Sequence, residues 1–396
     1  MSAGFEAEVR ALMRQAAMLP NGPSQVALYE EAVRLADAHG DVPLAFDARD
    51  ELITASTFNG YLDRALVAFS WCLGHCDREP SRFNDARLLW KYKWVANGLK
   101  SFPQFTLEQI EATIDDMARR YRKHGLSPRP VHTIRKNLAI HVGDRGKARE
   151  FMKLAQDAPR DSMSDCLACE RNGAVHDMIF LGRDAEALDR AAPLLAGTMR
   201  CKRVPAGTLS KVLEPMLRLG RVAEAMACHH RGYRLIAQER DYLDDAAQHL
   251  GFLALTGNLA KGAKLVERHT PWMLEPSVSQ DNRLDFALAA RLFFERLRAA
   301  GRKRIKLRLP ENFAALRPDA TYDPAELEAW FLDDARALAA RFDARNGTNR
   351  SAERIAENLD LARLATSYPL RAPKPKADED DGPNTGSGII STSDIE

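Results

Sequence analysis

The sequence predicts an all-α fold: a solenoid of about seven helix–turn–helix repeats, a C-terminal helical extension and a disordered acidic tail. Three observations lead to it. Seven glycines, Gly22, Gly60, Gly98, Gly143, Gly182, Gly220 and Gly257, recur with gaps of 38, 38, 45, 39, 38 and 37 residues, and a fixed period in this range marks stacked structural units. A small residue follows five places later at Ala65, Ala148, Ala187, Ala225 and Gly262. A second set of breakers lies half a period away. His39-Gly40 to Pro43, Asp77 to Pro80, His124-Gly125 to Pro128, Ala158-Pro159 and Ala196-Gly197 each suit the end of a second helix.

Between the breakers, apolar residues recur at helical intervals. In the fifth unit, Cys166, Cys169, Ala174, Met178 and Leu181 precede Gly182, and Ala185, Leu188, Ala192 and Leu195 resume the period. A tight turn between antiparallel helices needs a positive φ, which glycine adopts at least cost. The small residue five places on lets the two helices approach. The predicted hairpins are 5–18/23–38, 43–57/61–75, 81–97/106–124, 129–142/145–157, 162–181/184–195, 206–219/222–238 and 241–256/259–269. An insertion at Lys100–Phe105 accounts for the one long gap, and Pro215 should kink its helix.

A long helix over 279–299 is expected to cap the stack, since a terminal repeat has no neighbour to bury its apolar face. From Arg302 to Pro310 basic and apolar residues alternate with period two, which predicts a short extended piece. An irregular stretch, 311–323, precedes Asp323-Pro324, a good helix start. That helix should run to about Asp343, with a shorter one over 351–365. Beyond Thr366 the composition of Pro, Lys, Asp, Gly and Ser predicts disorder. The expected organisation is a solenoid over 1–300, an extension over 301–365 and a tail over 366–396.

The formal net charge of +2 does not point to nucleic acid as a whole-chain property. From residue 372 onward the tail carries −4, which leaves the body about +6. Six cysteines in 396 residues fit no extracellular disulfide framework. The acidic N-terminus lacks a signal-peptide pattern, and no run approaches the ~18 apolar residues of a membrane span. A cytoplasmic location is expected.

The Gly-x4-Ala turn into each second helix resembles that of the tetratricopeptide repeat. The departures are a period of about 38 rather than 34 and the loss of most family aromatics, Phe69 excepted. The resemblance covers roughly residues 5–270 and implies a right-handed α-solenoid whose first helices line a concave groove. It also implies partner binding without catalysis. Counting back from the turn glycines under that resemblance nominates Asp50, Thr54, Asp85, Tyr92, Thr133, Asn137, Asn172, His176, Ser210, Glu214, Asp244 and Gln248 as groove residues. The family's clamp for a terminal carboxylate pairs lysine with asparagine. Only Asn137 and Asn172 match it, without the lysines. The segment from Arg302 to Gly347 is faintly similar to C-terminal extensions of bacterial repeat proteins, a similarity that implies no function.

Chemical motifs are sparse. Cys166-x2-Cys169 with His176 has metal-ligand types on adjoining helix faces, but a structural zinc needs four ligands and no fourth lies nearby in sequence. Cys72 and Cys76 with His75 form another partial set. Packing cysteines are the favoured reading of both. Adjacent His229 and His230 point about 100° apart on a helix, so one should be partly buried and the other exposed. The basic run Arg302, Lys303, Arg304, Lys306 and Arg308 could meet phosphate, but it reads better as a solvated edge that discourages strand pairing. No serine–histidine–aspartate signature, phosphate-cradling loop or zinc-protease motif is present. The expected function is a scaffold or adaptor holding a protein or peptide, with no cofactor, no metal and no membrane. A nucleic-acid-binding regulator using the basic body and residues 302–308 is the alternative.

Overall fold

A computed structural model describes residues 2–370. Its helices pair as hairpins: α1 (Ser2–Met18) with α2 (Pro23–Ala38), α3 (Val42–Phe58) with α4 (Leu62–Arg78), α5 (Leu89–Gly98) with α6 (Leu107–Lys123), and α7 (Arg129–Val142) with α8 (Arg145–Asp157). Then follow α9 (Leu167–Phe180) with α10 (Asp184–Leu195), α11 (Ala206–Lys211) and α12 (Leu213–Arg218) with α13 (Val222–Ile236), and α14 (Leu243–Leu255) with α15 (Leu259–Met273). The extension contains α16 (Gln280–Ala299), α17 (Pro324–Asn346) and α18 (Arg350–Asp360). Successive helices pack on one another, giving the all-α solenoid-like array.

Gly60, Gly143, Gly182, Gly220 and Gly257 are left-handed, with φ of +72°, +84°, +74°, +72° and +74°. Two of the seven glycines differ. Gly22 is an extended N-cap residue. Gly98 is helical with φ −76° and sits against Leu62, whose Cδ2 would collide with an added Cβ. Its small size, not its backbone freedom, fits that position. Ala65, Ala148, Ala187 and Ala225 are fully buried, and at Gly262 a Cβ would stand 2.5 Å from Phe293 Cε2. The repeated small residue is therefore a close-packing position. At Gly220 an added Cβ would meet nothing within 4 Å, so any penalty there comes from the backbone. Gly220→Val is expected to lower stability by about 1–3 kcal/mol in urea denaturation.

Several boundaries depart from expectation. Residues 81–88 are not α-helical: Asn84 accepts from the Ala86 amide and starts a 3-10 turn, Asp85–Arg87. Residues 162–166 form a loop in which the Ser164 hydroxyl accepts from the Asp161 amide and the Asp161 carboxylate accepts from the Met163 amide. The predicted helix 206–219 breaks at Val212, three residues before Pro215. Proline has no N–H to offer the carbonyl four residues back, and its ring crowds that carbonyl.

One apolar core runs from Ala16 to Leu138 and a larger one from Ala168 to Ile355. The larger core does not divide at residue 300: Phe294 of α16 stacks on Phe331 of α17 with centroids 5.6 Å apart. Between these helices, strands β1 (Ile305–Lys306) and β2 (Thr321–Tyr322) pair antiparallel, with Ile305 opposite Tyr322. The alternation near residue 305 is real. Ile305 and Leu307 are buried, while Arg304, Lys306 and Arg308 are exposed.

The array curls back on itself. Arg240, before α14, donates to the Asn59 carbonyl at 3.2 Å and to that of Gly60. Its guanidinium lies 4.2 Å over the Tyr61 ring. Arg345 of α17 donates to the carbonyls of Lys100 and Phe105 at 2.8 and 3.1 Å. The ordered path also runs past the expected start of the tail. Thr366 and Tyr368 donate backbone bonds to Leu255 and Thr256 at 2.8 and 3.1 Å, and Asn258 accepts from the Leu370 amide. Residues 366–370 are thus docked on the α14–α15 turn, contrary to the predicted disorder. The remainder of the tail lies outside the described residues. No described helix is long and apolar enough to cross a membrane.

Candidate binding cavity

The inner helices of hairpins three to seven surround a cavity of about 990 Å³, closed on the far side by α16 and α18. Helical spacing determines which side chains enter it. α7 contributes Lys136, Asn137, Ile140 and His141; α9 contributes Asn172, His176, Ile179 and Phe180. α14 presents Asp244, Asp245 and Gln248, α16 presents Asp281 and Asp285, and α18 presents Arg350, Arg354 and Glu357. Each set recurs at three- and four-residue steps, one face of each helix. Lys100, in the insertion after α5, adds a cation to the wall.

Six of the twelve predicted groove residues line this cavity: Asn137, Asn172, His176, Glu214, Asp244 and Gln248. The other six do not. Asp50 is buried and bonds Lys91 Nζ at 2.5 Å and Arg87 at 3.1 Å in the next hairpin. Asp85 sits in the 3-10 turn and pairs with Arg120 at 3.0 Å and His124 at 2.8 Å. The buried Tyr92 hydroxyl donates to Asp116 at 2.6 Å. Thr133 donates to its own helix at Arg129. Ser210 is buried and donates to Asp245, and Thr54 is half-buried in α3. The physical reason is common to most of them. Polar side chains on the flank of an inner helix reach the neighbouring inner helix before they reach a central space.

The same bonding continues along the cavity wall. Asn137 donates to Asn97 at 2.8 Å, Thr208 donates to Asn172 at 2.7 Å, and Lys136 pairs with Asp177 at 2.7 Å. Buried polar groups of this kind are satisfied by one another and fix the register of successive hairpins.

Against this paired background three cavity groups stand out. Among the described residues Lys100 has only a backbone partner, the Asn97 carbonyl at 2.6 Å, and burial lowers its pKa to about 8. Asp244 has no hydrogen bond or ion pair among the described residues, and burial together with the nearby Asp245 carboxylate raises it to about 7. His176 is pushed down to about 3 by burial and by the positive field of Lys211, Lys136 and Lys100, so it is neutral at physiological pH. Lysines absent from the predicted clamp positions are therefore present: Lys136 is adjacent in sequence to Asn137, and Lys100 and Lys211 come from other hairpins. The opposite wall is acidic. Arg354 bridges Asp281 and Asp285 at 2.7 and 2.5 Å, which places two carboxylates one turn apart on α16.

Sequence reasoning missed Lys100, Lys136, Lys211, Asp281, Asp285, Arg350 and Arg354. The last four belong to α16 and α18, far along the chain from the inner helices they face, and no periodicity connects them. The Cys72 and Cys76 thiols are buried as expected, and so is His229 beside an exposed His230. Cys166 is exposed and so departs from the packing reading.

Comparison with known proteins finds no family whose sequence pattern matches the chain and no curated protein similar to it.

Proposed function

We propose that the chain is a non-catalytic, tetratricopeptide-like scaffold of the cytoplasm that holds a short polar segment of a partner protein in its concave cavity. The observation that carries this reading is the set of groups with no side-chain partner among the described residues, Lys100, His176 and Asp244, in a cavity whose other charges are mostly paired. Enclosed ionisable groups without partners are costly, and perturbed groups of this kind concentrate where a ligand completes them. Lys100 suits a carboxylate and Asp244 an ammonium or guanidinium, so the favoured ligand carries both signs, as a peptide does. A nucleic acid would bring phosphates against Asp245, Asp281 and Asp285. The hydroxyls of Thr208 and Ser210 are committed to Asn172 and Asp245.

The test uses the full chain as bait with cross-linking, followed by titration of a fluorescent peptide from the recovered partner segment. Lys100→Gln and Asp244→Asn should each weaken binding at least tenfold, about 1.4 kcal/mol, while Arg304→Gln on the exposed edge should not. Equal affinity for all three variants would exclude the cavity. Asp244→Asn should also stabilise the unliganded chain at pH 8. The folded pKa of Asp244 lies above its unfolded value, so its contribution is intact below pH 4 and declines as pH rises through 7. Removing the carboxylate should gain roughly 1–2 kcal/mol in denaturant at that pH.

A further inference from the structure

Three cysteines distant in sequence converge outside the cavity. Cys166 is the N-cap residue of α9 and Cys169 lies one turn inside it, so both sulfurs share a side of the helix start. Cys201 arrives from the loop between α10 and α11. The three sulfur atoms all lie within 4.8 Å of one another, and those of Cys169 and Cys201 are 3.4 Å apart. Zinc thiolates with Zn–S bonds of about 2.3 Å place tetrahedral sulfurs about 3.8 Å apart, so a single ion fits this triangle once the closest pair opens slightly and the other separations close by up to about 1 Å.

From this juxtaposition we infer that Cys166, Cys169 and Cys201 form a zinc site. The other cysteines supply the contrast: Cys72, Cys76 and Cys228 are buried, as packing cysteines are, whereas Cys166 is exposed and Cys169 and Cys201 are half-buried. A disulfide between Cys169 and Cys201 would leave the third sulfur unexplained. The surroundings suit a thiolate cluster. The α9 N-terminus carries positive partial charge, and Arg200 and Lys202 flank Cys201. The Cys201 amide donates to the Val204 carbonyl at 3.0 Å in a tight turn. Thiolate donors select zinc over magnesium or calcium. Binding replaces three thiol protons, which leave to solvent, and gives a site of net charge −1 that Arg200 and Lys202 offset. The exposure of Cys166 leaves the fourth position to water.

The ion would tie the α10–α11 loop to the start of α9. That loop carries Arg203, which pairs with Asp241 and lies 4.7 Å over the Tyr242 ring and 5.7 Å over that of Phe58. Zinc therefore supports the contact by which the array closes on hairpin two.

The test is metal analysis of the full chain, purified without a metal-affinity tag, reduced, and dialysed against trace zinc. About one zinc per chain is expected. Cys169→Ser and Cys201→Ser should each reduce it at least tenfold, and Cys228→Ser should leave it unchanged. Because the serine variants could misfold, the wild-type chain is also loaded with cobalt, which should show the thiolate charge-transfer and d–d absorption of a tetrahedral site. Zinc far below one per chain, no cobalt–thiolate absorption, or an intact mass two hydrogens light with a Cys169–Cys201 cross-link would each overturn the inference.

Discussion

Arg354→Ala is expected to lower stability by about 3–5 kcal/mol, because it removes the one cation between two enclosed carboxylates. Arg354 Nη1 and Nη2 donate to Asp281 and Asp285 at 2.7 and 2.5 Å. Those acids stand one helical turn apart on α16, and in the variant neither keeps an arginine or lysine ion pair among the described residues. His141 contacts Asp281 at 3.5 Å but is itself held neutral, mainly by burial. α18 would keep Ile355 in the core and the Arg291–Asn358 bonds at 2.8 and 3.0 Å, so the change should loosen α18 before it unfolds the array. Urea denaturation at pH 7.5 and protease cleavage after Gly347 measure the two effects. The deficit should shrink toward pH 4, where the stranded carboxylates take up protons.

The second large effect is acid lability from three buried histidines. His229 of α13 contacts His249 of α14 through their Nδ1 atoms at 3.0 Å, and Tyr233 contacts His269 of α15 at 3.1 Å. Burial depresses them to about 2, 3 and 3. A depressed histidine stays neutral in the fold while the unfolded chain takes up protons below about pH 6.5, so stability is full above 6.5 and falls with acidification. Each contributes about 1 kcal/mol per pH unit in that range. Asp244 acts with the opposite sign, so the clean measurement is a difference. Between pH 6 and 4, His249→Phe should flatten the wild-type pH dependence by about 1 kcal/mol per pH unit. Parallel curves for the two proteins would contradict the assignment.

The array was legible because five of the seven hairpins repeat the same local needs. A left-handed turn residue marks Gly60, Gly143, Gly182, Gly220 and Gly257, and a close-packed small residue marks Ala65, Ala148, Ala187 and Ala225. Where one residue type serves a different need the pattern misleads, as at Gly98, which makes room for Leu62. Residues 81–88 carried helical spacing, but Asn84 captured the local backbone. The cavity was half legible. Positions on α7, α9, α12 and α14 followed from the repeat phase, whereas the flank positions Asp50 and Ser210 bond the neighbouring hairpin. Its covering wall was not legible. Arg350 and Arg354 meet the inner helices only through the long-range packing of α16, α17 and α18, which leaves no short-range mark. Cys201 was missed for the same reason, being 32 residues from Cys169.

In the proposed function the cavity, not the outer or basic surface, receives the partner. Site-specific photo-cross-linking tests it most directly, with a photoreactive residue placed at Gln248 inside the cavity or at Arg304 on the exposed strand. One partner segment should be captured at position 248 and lost when Lys100→Gln is added, with nothing comparable at 304. Capture at 304 alone, or capture at 248 that is indifferent to Lys100→Gln, would contradict it.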